Sequence, residues 1–242
     1  MNIAIIPARG GSKRIPGKNI KEFAGRPIIE YSINAACESG LFDRIIVSTD
    51  CERIAEVAKS AGAEIPFVRP LELSDDHTPT APVLKHAVDC LQAEGGQIDH
   101  LCGIYPTAPF IRAGDLRDAF EMLCSENASE VFPVTTFDFC IFRGLKTAKP
   151  HGYEMIWPEN ELARSQDLPE ALHDAGQFYM FDCKSFLERQ KMWDPYAKIL
   201  KIPRYLVQDI DTEEDWEMAE IVYEVCKRKG LLWNSRSMVE TL

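Results

Sequence analysis

The 242-residue chain predicts a three-layer α/β/α, Rossmann-like domain built on a mainly parallel sheet. Apolar runs and helical stripes alternate five times between Asn2 and Thr136. The runs are apolar throughout rather than every second residue, as strands covered on both faces must be. Right-handed crossovers then put helices on both sides of the sheet.

The elements follow in order. "NIAIIP", Asn2 to Pro7, reads as a buried strand, and Pro27 opens a helix that ends at Gly40. "RIIVSTD", Arg44 to Asp50, is a second strand; Ile54, Ala55, Val57, Ala58 and Ala61 then recur at helical spacing. "AEIPFV" is expected to be a third strand, and Val83, Leu84, Ala87, Val88 and Leu91 mark the next helix. "DHLCGIYP" is a fourth strand, Leu116, Ala119, Phe120 and Leu123 stripe a helix, and "EVFPVTT" follows as a strand. From about Phe137 to Trp193 aromatics, prolines and charges crowd together, which predicts an inserted β-rich arm. "YLVQDID" reads as a last strand and "TEEDWEMAEIVYEVCKRKG" as a last helix. The organisation is thus one domain over 1–230, an insertion over about 137–193, and a loosely held tail at 231–242.

Composition narrows the function. With 45% apolar residues the chain buries a full core. No apolar stretch is long enough to span a membrane and no secretory pattern is visible, so a cytoplasmic protein is expected. The eight cysteines form no CxxC pair and are expected to be buried, reduced and free of metal. The 38 acids outnumber the 27 Lys and Arg residues, which argues against a nucleic-acid partner. The first 26 residues reverse this balance, with six cations against Glu22 alone. Charge concentrated in that way suits a small, highly charged anion.

Those cations sit in "IIPARGGSKRIPGKN". The string is neither a P-loop, because five residues separate Gly11 from Gly17 and Asn19 follows Lys18, nor a GxGxxG fingerprint. It still holds the parts of a phosphate cradle: Gly10 and Gly11 for close backbone approach, Ser12 for a hydroxyl, Arg9 and Lys18 for charge. Near the other end, Asp209 and Asp211 of "QDIDTEED" would share one face of a strand while Ile210 turns inward. Such a pair suits Mg²⁺, although Asp211 or Thr212 could equally cap the helix that follows, with Asp215 completing the pattern.

The whole string, with "IIVSTD", "IAEVAKSAGAEIPFVRP", "PTAP", "RSQDLPEA" and "DIDTEEDW", resembles the cytidylyltransferases that activate sialic-acid-like sugars as CMP derivatives. "DDHTPTAPV", "YPTAPF", "RSQDLPEALHDAGQFY" and "VQDIDTEEDW" look most like the branch acting on pseudaminic acid. The resemblance implies a nucleotidyltransferase fold and transfer of CMP from CTP to a nine-carbon acid sugar. Arg9, Gly10, Gly11, Ser12 and Lys18 would hold the phosphates, Asn19 the nucleoside, and Arg69 and Thr80 the cytosine and ribose. Tyr105, Arg164, Gln166, His173 and Tyr179 would line the sugar pocket. Arg9, Lys18 and Asp211 would act in catalysis, Asp209 and Asp211 would carry Mg²⁺, and a homodimer is expected. Tyr105 stands where sialic-acid members have Gln, and His173–Asp174–Ala175 replaces an Arg-Pro-Asn type of run, which disfavours N-acetylneuraminate. Legionaminate, an octulosonate, or a silent nucleotide-binding protein remain as alternatives.

Overall fold

A computed structural model describes residues 1–150, 152–194 and 196–232. Most of the expected tail, 233–242, lies outside the described residues, as does His151.

The apolar run at the N-terminus forms β1 (Asn2–Pro7), with Ile3, Ala4, Ile5 and Ile6 fully buried. After the basic loop, β2 (Glu22–Phe23) and β3 (Arg26–Pro27) make a short antiparallel ribbon, so α1 (Ile29–Ser39) starts two residues later than Pro27 suggested. It ends at Gly40, where φ is 67°. β4 (Arg44–Ser48) and α2 (Glu52–Ser60) follow as expected. "AEIPFV" does not become a strand and contributes a single bridge, Ile46 to Glu64. Pro66 has no N–H to give to a ladder, which explains the shortfall.

α3 (Thr80–Ala93), β5 (His100–Ile104), α4 (Ala113–Ser125) and β6 (Glu130–Thr136) continue the alternation. The arm itself is the hairpin of β7 (Leu145–Ala148) and β8 (Gly152–Met155), paired only with each other. The later part of the expected insertion belongs instead to the central sheet: β9 (Leu172–Asp174) and β10 (Phe178–Asp182) both pair with β6, and α5 (Cys183–Arg189) follows. β11 (Lys198–Lys201) pairs with β6 and α6 (Glu213–Arg228) closes the described chain. "YLVQDID" is not a strand: Arg204–Leu206 makes one 3₁₀ turn and residues 207–211 have no ladder partner.

The sheet order is β4-β1-β5-β10-β6-β11, with β9 beside β6. All the strands on this path are parallel except β10, which runs antiparallel between β5 and β6. Alternation along β1 covers both faces. Ala4 and Ile6 pack with α1, α2 and α4, while Ile3 and Ile5 pack with α3 and α5. A third cluster joins α6, through Trp216 and Ala219, to Phe23, Tyr31, Phe110 and Leu206. That cluster fixes the start of α6 beside the loop that leaves β1.

Only three cysteines, Cys102, Cys183 and Cys226, are buried; Cys37 and Cys124 are exposed, and all eight are free. Burial of the set was therefore expected too broadly.

Candidate active site

The loop after β1 leaves the carboxyl end of the strand, where parallel sheets gather ligands. Gly17, with φ 65°, turns the chain into the Lys18–Ile20 3₁₀ turn. A left-handed residue of this kind is easiest for glycine. The turn aims Lys18 across the molecule, where its Nζ donates to the Ile210 carbonyl at 2.7 Å and to Asp211 Oδ1 at 3.3 Å. Arg14 Nη1 donates to the other Asp211 oxygen at 2.6 Å. Buried Asn19 donates through Nδ2 to the Arg9 carbonyl at 2.9 Å, which fixes the start of the loop.

Arg9 is held by the segment before α3. It pairs with Asp76 at 2.8 Å and donates to the Asp75 carbonyl; Lys13 also pairs with Asp76. Lys13 and then Arg9 hold the Asp76 carboxyl below its ordinary range. Hydrogen bonds from Thr78 and His77 do the same for Asp75.

Gly10 and Gly11 do not serve the same purpose. The Gly10 N–H donates to Asp50 Oδ1 at 2.9 Å, so it is spent within the protein. A Cβ there would stand 2.9 Å from Cys51 Cβ, and Gly10 is therefore required by packing. At Gly11 an added Cβ meets nothing within 4 Å.

Arg69 is almost fully buried, with Nε 3.1 Å from Ser48 Oγ and Nη2 on the Ser48 carbonyl. Burial pulls its guanidinium down to about 10, with Asp50 opposing and Arg9 adding to the effect, so it stays cationic at neutral pH. Thr80 opens α3, and its hydroxyl lies 3.3 Å from the Tyr105 hydroxyl. Arg9, Ser12, Lys18, Asn19, Arg69 and Thr80 together line a cavity of about 260 Å³.

A second cavity of about 740 Å³ adjoins the first, and Tyr105 and Thr107 line both. Its walls include His173, Asp174, Trp193 and Asp209. His173, on β9, turns its Nδ1 to the Asp174 carbonyl at 2.8 Å and packs on Phe137. Tyr179 lies behind this wall rather than in it: it is 3% exposed, bonds the Asp174 carboxylate through its hydroxyl and meets the Tyr105 ring edge-on at 5.7 Å. Burial, above all, drives its phenol far up. Arg164 and Gln166 do not line the cavity; they sit at an exposed 3₁₀ turn that follows the hairpin, where Arg164 pairs with Asp167 at 2.7 Å.

Asp209 and Asp211 flank buried Ile210, as expected, although no ladder sets their alternation. Thr212 and Asp215 complete a full capping box on α6, which leaves the Asp211 side chain free of capping duty. Partial desolvation and then the Asp211 charge push the Asp209 carboxyl up. Among the described residues no three His, Cys, Asp or Glu side chains gather in a way that could hold a metal ion. Such a pair of carboxylates suits a divalent cation that takes its remaining ligands from phosphate oxygens and water.

The sequence reading gives no site role to Asp76, Arg14, Thr107 or Asp174, although all four stand in the quoted strings. The partners of Asp76 and Arg14 lie far away in sequence and left no local signal, whereas Asp174 is bonded by Gly176 and Tyr179 close by in the chain.

Comparison with known proteins gives the family and supports the fold. The profile of a family described as Cytidylyltransferase matches residues 3–229. A Campylobacter jejuni protein named pseudaminic acid cytidylyltransferase is 42% identical over 93% of this chain and 97% of its own length. A Legionella pneumophila CMP-N,N'-diacetyllegionaminic acid synthase is 30% identical over 92% of this chain and 96% of its own. The solved structure of a CMP:2-keto-3-deoxy-manno-octonic acid synthetase complexed with CTP superposes with a TM-score of 0.68 at 14% identity, covering 92% of this chain and 98% of that one, which speaks to the fold. The chain belongs to the cytidylyltransferase family.

Proposed function

We propose that this chain transfers CMP from CTP to the anomeric hydroxyl of pseudaminic acid and releases pyrophosphate. The observation that carries the reading is the pair of cavities meeting at Tyr105 and Thr107, one rimmed by cations and one larger and mixed in character. The 42% identity to the C. jejuni protein of that name supports the choice of sugar.

In this reading the small cavity takes the nucleotide. Arg9 and Lys18 offset phosphate charge, Ser12 adds a hydroxyl, and Asn19, Arg69 and Thr80 hold the nucleoside. The sugar enters the large cavity, past Tyr105 and His173, so that its hydroxyl faces the α-phosphate at the junction. Catalysis is then mostly positioning and charge stabilisation. Asp209 and Asp211 would hold Mg²⁺, and their mutual repulsion fits that role. When bound, the ion supplies charge neutralisation for the triphosphate. Lys18, already on Asp211, would carry the basic loop to the same phosphates.

Arg164 and Gln166 belong on this reading to the site of a second copy. The segment around the hairpin, between β6 and β9, carries them and exposes Phe139, Tyr153 and Leu162, apolar side chains suited to a homodimer. No described helix is long and apolar enough to cross a membrane, and a CTP-dependent reaction suits the cytoplasm.

The test is pyrophosphate release from CTP, ATP, GTP or UTP with pseudaminic acid, with and without a chelator. Release with CTP alone, abolished by the chelator, is expected. Equal rates with ATP, or none with any nucleotide, would overturn the reading.

A further inference from the structure

The acceptor in the proposed reaction is an acid, yet the charged side chains lining the 740 Å³ cavity, His173 aside, are Asp174 and Asp209. Within one chain, a sugar carboxylate held there would face like charge with no cation to offset it. The cations of the nucleotide cavity are, on this reading, taken by CTP: Arg9 and Lys18 by its phosphates and Arg69 by its nucleoside.

A third cavity, of about 500 Å³, continues from the second through His173, Val207 and Gln208, which line both. Arg204 and Arg143 stand in its walls beside Thr135 and Thr136. Arg204 starts the 3₁₀ turn whose exit runs through Val207 and Gln208 to Asp209. One short piece of backbone therefore carries a guanidinium at one end and the carboxylate pair at the other. Arg143 lies on a different turn, which leads away to the hairpin. Arg204 is paired with Asp138 at 3.2 Å, and both side chains are more than half exposed. An ion pair this open contributes little and is readily exchanged for another carboxylate.

We propose that Arg204 binds the carboxylate of the acidic sugar, and that Asp138 holds the guanidinium in place until the sugar displaces it. A planar guanidinium can grip a carboxylate with two parallel hydrogen bonds, which fixes the sugar's orientation as well as its charge. The inference rests on the reading of the acceptor as a sugar acid. It differs from the expectation for Arg164, which lies outside the cavity in this chain.

The test is steady-state kinetics of Arg204→Ala, Arg204→Lys, Asp138→Asn and Arg143→Ala with pseudaminic acid and with its neutral carboxamide. Loss of a charged hydrogen-bonded pair predicts a sugar KM raised about 10- to 100-fold in Arg204→Ala, with CTP KM and Tm unchanged. Arg204→Lys should recover part of the loss, and Asp138→Asn should lower the sugar KM. Wild-type enzyme should prefer the acid over the carboxamide, and Arg204→Ala should have lost that preference. A sugar KM within twofold of wild type in Arg204→Ala, or loss of acid preference in Arg143→Ala alone, would overturn the assignment to Arg204. Absence of wild-type turnover with any sugar acid would instead remove the functional reading, and this inference with it.

Discussion

Lys18 Nζ stands 3.3 Å from Asp211 Oδ1, joining residues 193 apart in sequence. The basic loop that leaves the first strand is thereby tied to the segment that precedes the last helix. The two ends of the chain build one site, and the cluster of Phe23, Tyr31 and Trp216 beneath them holds the ends together.

The proposed metal role of Asp211 can be separated from a structural one. Thr212 and Asp215 cap α6 by themselves, so Asp211→Ala should leave Tm and far-UV circular dichroism close to wild type. Turnover should fall by about 100-fold or more, the usual effect of removing a charge-stabilising group. Near-normal pyrophosphate release in that variant would exclude the role.

The cap makes the opposite prediction. Thr212→Ala removes the acceptor for the Asp215 N–H and should cost about 1 kcal/mol. In a chain of this size that corresponds to a Tm lower by about 2–4 °C. An unchanged thermal melt would show that the box contributes nothing.

The two loop glycines should behave differently. Gly10→Ala drives a methyl into Cys51 and disturbs the Asp50 contact, so stability should drop by about 1–3 kcal/mol and CTP binding should weaken. Gly11→Ala meets open space and should have a much smaller effect on Tm. Urea unfolding of both variants decides the matter, and equal losses would contradict the packing argument.

Glu130 offers a test through pH. It is 1% exposed on β6 and accepts the backbone N–H groups of Trp193 and Asp194 at 3.2 and 2.9 Å. Burial raises its carboxyl to about 7, against smaller opposing effects from the Trp193 N–H and Arg189 and a reinforcing one from Asp174. The folded protein therefore holds this proton more tightly than the unfolded chain. The corresponding stability is full below about pH 4.5, the ordinary range of glutamate, and is lost as pH rises to about 7. Glu130→Gln should abolish that loss, so the Tm of wild type relative to the variant should decline across this window. A constant difference would mean that Glu130 does not titrate there.

The residues that gather around the 260 Å³ cavity were legible because they lie in contiguous strings. Arg9, Ser12, Lys18 and Asn19 are fixed by one loop, and Arg69 and Thr80 flank a second. Partners of those residues were not legible. Asp76 reaches Arg9 only because the segment before α3 folds over the loop, a side-chain pairing with no local pattern. The pleat invoked for Asp209 and Asp211 was absent, since burial of Leu206 and Ile210 against α6 orders that segment in place of a ladder. β10 was folded into the expected insertion because its antiparallel place between β5 and β6 depends on long-range pairing. Arg164 and Gln166 were expected in the sugar pocket from resemblance, on an arm that reaches towards a neighbouring subunit's site; in one copy they stand on an exposed turn, away from the cavity of the same chain.

The central claim is that the two joined cavities make a pseudaminate-specific cytidylyltransferase. Its most direct test is kcat/KM for pyrophosphate release from CTP with pseudaminate, legionaminate, N-acetylneuraminate and 3-deoxy-octulosonate in parallel. Turnover confined to pseudaminate is expected. Preference for any other sugar would contradict it while leaving the nucleotide site intact, and silence across the panel would contradict both.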